Sequence, residues 1–361
     1  MWSALVIRAL QSDAVSQVLS KRSDEELVTQ TPDSPHPVKD GFGLAALIIN
    51  WILAVSVSLT LTYTLYNLFP ILTIVEDDSP STSYSPVPTS NKQDEELEEL
   101  TSMDGKDTFI DAEEGSSTPR SKPITSSVRS IYFHLLSISG GRSLFRGCVC
   151  YMAHAASVLV IGLSFGLLPF VPDIVAFTVA GLLTIPLETA WTHIVISKPS
   201  EKRFWRRLPK FGPAFRATAL PTVVVYVVEW LTQNLPLSLA LGLYGQTPDP
   251  QAAFPWMLLL LLYLLASVFL VLPLQMVLVR AQASLLPDDE QTIVPFDRAF
   301  KLNKVEGKGY MSMLDAWRSF SRPAWVRLLK LYAKGFAIMT VVHFGLIALA
   351  AVEFFIIYRV F

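Results

Sequence analysis

The chain has 361 residues and a formal net charge of −2; 51% of its residues are hydrophobic and only 17% are Asp, Glu, Lys or Arg. An ordinary soluble chain has about 25% charged residues, so this composition argues against a soluble enzyme or a nucleic-acid-binding protein. The charges are also clustered, since residues 41–75 and 250–279 contain none. The sequence therefore predicts a protein that resides in a lipid bilayer.

Six stretches are long and apolar enough to cross a bilayer as helices, which takes roughly 20 residues. They are residues 41–75, 147–172, 174–197, 217–248, 250–279 and 335–358. Single acidic residues interrupt three of them, at Glu188, Glu229 and Glu353. Six buried helices of one large soluble core are the less common alternative. We predict an all-α membrane protein with six transmembrane helices.

Two polar segments precede or interrupt the predicted spans. Residues 1–40 are predicted to be a polar N-terminal arm, and residues 41–361 the membrane domain. Within that domain, residues 76–128 are predicted to be a disordered acidic insertion in the first loop, because 13 acidic residues and two lysines lie between Glu76 and Glu114. This insertion is interpreted as a solvated linker or, alternatively, as a docking segment for a protein partner.

The loops between the predicted spans alternate in length and charge. Loops one, three and five (76–146, 198–216 and 280–334) are long and hold nearly all the Lys and Arg residues. The loops around Asp173 and Asp249 are short and contain neither. Basic loops stay on the inner face of a membrane, so we predict the odd loops inside and both termini opposite. The pattern is three tandem helix-loop-helix repeats.

Two of the repeats contain a partial motif just before their long loop. The third has Pro273, Gln275, Arg280 and Gln282, and the second has Pro186, Glu188, Trp191 and His193. This order resembles the signature of the mitochondrial carrier family, in which Pro is followed by an acid, two bases and Gln at fixed spacings. Gln275 replaces the acid, and Trp191 and His193 replace the bases. The resemblance implies a carrier-like bundle of six helices.

The even helices begin with a second partial motif. In the carrier family an aromatic residue, a base and a glycine open each even helix, and here Phe145, Arg146 and Gly147 open the second span. The segments 215–217 and 329–331 are weaker copies. Three partial copies, each in the expected half of a hairpin, extend the resemblance from about residue 42 to the end.

The residues that would close the carrier gate are mostly missing. The resemblance implies a ring of ion pairs after each signature proline, but Pro70 is followed by Ile71 and Leu72, with no acid or base in reach. No closed ring of three pairs is therefore expected. Three states remain open for Glu188: a pair with His193, a pair with Arg280, or a protonated carboxyl.

The resemblance also implies where a solute would bind, about two turns past the start of each even helix. That count gives His154 in the second span, Val224, Val225 or Tyr226 in the fourth, and Ile338 in the sixth. Such a cavity is mostly apolar with one imidazole. Nucleotide or carboxylate substrates would require Arg or Lys there, so a weakly charged or apolar solute is expected.

Three functions follow as hypotheses. The first is transmembrane solute transport with an altered gate; the second is a non-transporting adaptor of the mitochondrial outer membrane, acting in fusion, lipid contact or protein insertion. A multi-pass membrane enzyme is the minor alternative, because common catalytic motifs and metal-ligand spacings are missing. We expect no enzymatic activity, no cofactor and no metal.

The expected partners follow from the same interpretation. They are the lipid bilayer, a small solute and a protein that contacts the acidic loop 76–128, with no nucleic acid among them. The resemblance implies a mitochondrial membrane, and both the inner and the outer membrane remain open.

Overall fold

A computed structural model describes residues 37–77, 123–244, 253–296 and 310–360. These residues form helices and no strand; the single β-type contact among them is an isolated antiparallel bridge between Ser197 and Thr292. The all-α prediction is confirmed. Residues 1–36 of the predicted arm and residues 78–122 of the predicted insertion lie outside the described residues. Residues 123–128, which we had assigned to the insertion, form a 3₁₀ turn and the start of a helix.

The helices are named here in chain order. They are α1 (Pro37–Tyr63), α2 (Phe69–Val75), α3 (Val128–Ser139), α4 (Cys148–Gly166), α5 (Asp173–Leu183), α6 (Ile185–Ile196), α7 (Phe211–Tyr244), α8 (Ala253–Ala266), α9 (Leu272–Ala283), α10 (Met313–Arg318) and α11 (Arg322–Val360). Short π-helical turns join α1 to α2 and α8 to α9, and 3₁₀ turns lie at Ile124–Ser126, Gly140–Phe145 and Phe204–Arg206.

Five helical segments of the described residues are long and apolar enough to cross a membrane: Ile48–Val75, Val128–Gly166, Phe211–Asn234, Phe254–Ala283 and Arg322–Glu353. The pair α5 and α6 makes a sixth if its two halves are one span bent by 58°. The expected integral membrane protein is thus supported, with five spans or six. Backbone groups inside a bilayer must bond within the protein, which explains the helical form of these segments.

Each odd-numbered predicted span is broken at the same place, one residue before a proline. Pro70, Pro186 and Pro273 each occupy the second position of the helix that follows the break. A proline has no N–H to donate and its ring crowds the preceding turn. The chain accommodates this with a π-helical turn before α2 and α9 and with the 58° bend before α6.

The three segments after these breaks, α2, α6 and α9, pack against one another at the end of the bundle that faces the basic loops. We call this end the basic end. Its core is apolar and fully buried, and it includes Leu68, Leu72, Val195 and Ile196. The even spans pack outside: α4 on α5 and α6, α7 on α5 and α9, and α11 on α1 and α2.

Two glycines allow neighbouring spans to approach closely. A Cβ atom at Gly162 would lie 2.4 Å from the Phe177 ring, and one at Gly181 would lie 2.6 Å from the Tyr226 ring. Small residues at helix contacts are the usual means of close packing in membranes, where apolar burial gives little driving force. The second, third and fourth spans are held together in this way.

Part of the fifth loop crosses the basic end. Residues 284–296, which we call the strap, follow α9 and form backbone hydrogen bonds to the ends of two other odd spans. The Ile293 N–H donates to the Ile196 carbonyl at 2.9 Å, and the Asp77 N–H donates to the Pro295 carbonyl at 2.9 Å. Ile293, Val294 and Phe296 add their side chains to the apolar core. The strap therefore links all three odd spans.

The two ends of the acidic insertion meet at a buried carboxylate. Glu76 is 1% exposed and accepts hydrogen bonds from the backbone N–H groups of Ile124 (2.6 Å) and Thr125 (3.0 Å). The chain therefore leaves the bundle after Asp77 and returns beside it at Pro123. The described ends of the insertion therefore lie together, next to the strap.

Candidate functional site

Arg280 is a fully buried charged residue of the basic end, with 1% of its surface exposed. Its guanidinium donates to the Ile74 carbonyl at 3.0 Å, to the Ser319 carbonyl at 3.1 Å and to Asp77 Oδ1 at 2.8 Å. It also lies 5.1 Å from the centre of the Phe320 ring. One side chain of α9 thus contacts the end of α2, the residue Asp77 that follows it and the end of α10.

The prediction that the first repeat has no ionic partner within reach was wrong. Asp77 lies seven residues after Pro70, as Arg280 lies seven after Pro273, and the two side chains form a salt bridge. The first repeat supplies an acid at a position where the carrier signature has a base. The expectation that no ring of three pairs closes is not affected, since the third residue at this spacing is His193.

Helices α6 and α9 are joined by Gln282. Thr192 donates from its hydroxyl to Gln282 Oε1 at 2.6 Å, and His193 Nε2 lies 2.9 Å from the Gln282 carbonyl oxygen. The salt bridges of the described basic end include Arg207–Glu290 and Arg280–Asp77. The three states considered for Glu188 therefore stay predictions.

The first and second repeats meet at Trp191 and the opening of α4. Trp191 Nε1 donates to the Tyr63 hydroxyl at 3.3 Å, and that hydroxyl donates to the Arg146 carbonyl. Arg146 Nε donates to the Ile194 carbonyl at 2.7 Å. Gly147 adopts φ 73°, and a Cβ atom there would lie 2.9 Å from Trp191 Cδ1. The adjacent Phe145 is 50% exposed.

Gly147→Ala should destabilise the protein markedly. The left-handed backbone costs a non-glycine residue about 1–2 kcal/mol, and forcing a methyl against the Trp191 ring adds about 1–3 kcal/mol. Gly141→Ala is the matched control, because a Cβ atom there meets nothing within 4 Å and should change stability by less than about 0.5 kcal/mol. Thermal unfolding in detergent compares the two variants; equal effects would contradict this account of Gly147.

Helices α6 and α9 contain buried polar atoms that have no hydrogen-bond partner among the described residues. They include Glu188 Oε2 and Gln282 Nε2. The Thr189 hydroxyl, 0% exposed, is likewise unpartnered. Burying polar groups in this way costs free energy that the fold does not recover.

A second carboxylate lies nearby, on the fourth span. Glu229 Oε1 accepts a hydrogen bond of 2.8 Å from Gln275 Nε2, across α7 and α9. Glu188, Glu229, Gln275 and Gln282 together are called the acidic centre below.

The five residues predicted to line a solute cavity occupy different environments. His154 is 9% exposed, with Nδ1 buried and unpartnered. Val225 is buried, whereas Val224 is half-buried. Tyr226 packs against Gly181, and Ile338 is 37% exposed. Their role as a cavity lining stays a prediction. Within the described ranges, no cluster of three or more His, Cys, Asp or Glu residues could hold a metal ion.

No family model, curated protein or solved structure matches this chain. The resemblance to the carrier signature therefore depends on the quoted residues alone.

Sequence reasoning had placed Glu229 and Gln275 inside the membrane but had not paired them, and it had missed Asp77. One signal could have found Asp77. It has the same spacing from its proline as Arg280 has, so aligning the repeats on Pro70 and Pro273 places an acid opposite a base. No comparable signal joins Glu229 to Gln275, because they lie in different halves of different repeats.

Proposed function

We propose that this protein is a carrier-like transporter of a small solute in a mitochondrial membrane. The solute binds at the acidic centre, and motion of the basic end releases it. The observation that supports transport most directly is Glu188, whose Oε2 atom is buried inside the membrane without a partner. Ionisable groups at that depth are costly, and they usually mark a solute or ion pathway. A protein that served only as an anchor would gain nothing from this carboxylate.

The arrangement of the three proline breaks supports the same proposal. Three residues of the acidic centre, Glu188, Gln275 and Gln282, lie on α6 and α9. Each of α2, α6 and α9 begins at a π-helical turn or a bend. Such breaks are natural hinge points, because the helix ladder is already interrupted there. Movement of these segments would open the basic end, with Asp77–Arg280 as the ion pair that must separate.

The strap favours a second candidate function, that of a non-transporting adaptor. It bonds to the ends of the first and third spans and contributes to the apolar core, and opening the basic end would expose that core to water. An adaptor needs no such opening. Its acidic insertion, attached beside the strap at Glu76, would be the segment that a partner protein contacts.

Access of water to the acidic centre distinguishes the two functions. We expect Gln275→Cys, in a background with Cys148→Ser and Cys150→Ser, to react with a charged, membrane-impermeant maleimide, because Gln275 is half-buried beside Glu229. Reaction should occur from the side of the termini when the basic end is closed, and from the other side when it opens.

Phe269→Cys is the matched control for this labelling. Phe269 lies on the same span and is 70% exposed on the outside of the bundle, where lipid would surround it and a thiol should not react. Gln275→Cys that resists the reagent from both sides, in folded protein, would reject an aqueous pathway and leave the adaptor as the better proposal.

A further inference from the structure

We infer that the acidic insertion binds, through residues 94–100, to a pocket of basic side chains beside loop three. The pocket is an open cavity of about 430 Å³, and five basic residues line it: Arg142, Arg146, Lys202, Arg203 and Arg207. We call it the arginine pocket. No residue of the acidic centre lines it, so the inference does not depend on the proposed transport function.

Two arginines of the pocket each have a buried N–H donor without an acceptor. Arg146 donates to the Ile194 and Ser197 carbonyls, and its Nη1 atom is buried and unpartnered. The Arg207 side chain is 5% exposed; it donates from Nη2 to Ser197 Oγ at 2.5 Å and to Glu290, and its Nε atom is unpartnered. Both guanidinium groups thus meet at Ser197. Native structures rarely leave buried donors unsatisfied, and a carboxylate is an acceptor with several sites for such donors.

The start of α4 adds to the positive charge of the pocket. Gly147 precedes the first residue of this 19-residue helix, and residues 147–150 line the pocket. The first N–H groups of a helix have no acceptor within the helix and favour an anion. None of the described lining residues is acidic, and Phe145, Val149 and Trp205 form an apolar wall. The ligand that fits is an anion that also carries apolar groups.

Residues 94–100, which lie outside the described residues, have this composition. They read Asp-Glu-Glu-Leu-Glu-Glu-Leu, so five carboxylates and two leucines occur in seven residues. They are the densest acidic run of the insertion, which has eleven acidic residues and two lysines between Asp78 and Glu114. The carboxylates complement the five basic side chains, and the leucines complement the apolar wall.

The insertion begins close enough to the pocket for this run to reach it. The Asp77 N–H donates to the Pro295 carbonyl at 2.9 Å. Three residues earlier in the strap, Thr292 pairs with Ser197, which the two arginines with unpartnered atoms contact. This path is at most about 25 Å long. Asp94 follows Asp77 by 17 residues, which span at most about 55 Å, and a tether of this length gives an effective concentration of about 1 mM.

Binding of a labelled peptide to the purified full-length protein tests the inference. The peptide has the sequence of residues 91–103. The neutralised variant carries Asp94→Asn, Glu95→Gln, Glu96→Gln, Glu98→Gln and Glu99→Gln. We expect this variant to bind the peptide, and the wild-type protein to bind it about 10-fold or more weakly, because its own acidic run occupies the pocket. Fluorescence anisotropy in detergent measures both affinities.

A second pair of variants tests whether the peptide binds in the arginine pocket. Lys202→Gln with Arg203→Gln removes two exposed basic residues from its rim. Added to the neutralised variant, these changes should weaken peptide binding about 10-fold. Lys210→Gln with Arg216→Gln is the matched control, because it removes the same charge from exposed residues of loop three that do not line the pocket. The control should keep the affinity, and neither pair should change the melting temperature.

Four results would overturn the inference. The neutralised variant fails to bind the peptide, or binds it no better than the wild-type protein does. Both pairs of substitutions weaken binding equally, which would mean that the peptide follows the overall charge of loop three. Finally, native mass spectrometry finds an anionic phospholipid that the wild-type protein retains and that Lys202→Gln with Arg203→Gln loses, which would assign the pocket to a lipid headgroup.

Discussion

A disulfide between positions 197 and 292 should abolish access to the acidic centre from the basic end. Ser197 and Thr292 form the antiparallel bridge between α6 and the strap, and the flanking bonds, Lys198 N–H to Gln291 carbonyl and Ile293 N–H to Ile196 carbonyl, make them a non-hydrogen-bonded pair. The Cα atoms of such pairs are about 4.5 Å apart, which a disulfide accepts. Ser197→Cys with Thr292→Cys would therefore fasten the strap to the third span.

The measurement is labelling of Gln275→Cys from the side of the basic loops, with the site of reaction identified by mass spectrometry. We expect oxidation to eliminate this labelling completely, reduction to restore it, and labelling from the side of the termini to be unchanged. Ser197→Cys and Thr292→Cys alone, treated with the same oxidant, are the controls. Equal labelling of the oxidised and the reduced protein from the side of the basic loops would mean that the strap does not move when the basic end opens. That result would contradict the transport mechanism proposed above.

Arg280→Met should lower the free energy of unfolding by about 3–5 kcal/mol. The substitution keeps an unbranched apolar stem but removes the guanidinium and its bonds to the Ile74 carbonyl, to Ser319 and to Asp77. Asp77, whose side chain is 12% exposed, would lose its counter-ion in a largely dry environment. Breaking one member of a buried pair costs far more than breaking a surface pair. Unfolding in a graded series of denaturing detergent measures the loss.

Two further variants show whether loss of the Asp77–Arg280 salt bridge causes the lower stability of Arg280→Met. Arg318→Met removes an exposed arginine from α10 and should change stability by less than about 0.5 kcal/mol. Asp77→Asn combined with Arg280→Met should be more stable than Arg280→Met alone, because no buried carboxylate is left uncompensated. If the double variant is no more stable than Arg280→Met, the loss of stability is due to the contacts with Ile74 and Ser319 rather than to the salt bridge.

The sequence was sufficient for the elements that depend on local properties. A run of about 20 apolar residues must become a helix in a bilayer, since no water is present to bond its backbone. That rule located the spans around Trp51, Trp256 and Phe344 without any knowledge of their neighbours. The prolines of the odd spans were also informative, because a missing N–H weakens the helix at that point, although Pro221 lies within the unbroken helix α7. Pro70, Pro186 and Pro273 each follow a break in the structure.

Only the tertiary structure decided which polar groups meet. Asp77 and Arg280 are 203 residues apart, and Gln275 reaches Glu229 from another repeat. These pairings depend on the rotation and depth of whole helices, which are set by close contacts such as Gly181 against Tyr226. A one-residue rotation turns a side chain by about 100°, from the bundle interior toward lipid. The hydrophobic pattern tolerates that change, because both environments are apolar, so the acidic centre could not be assembled from sequence.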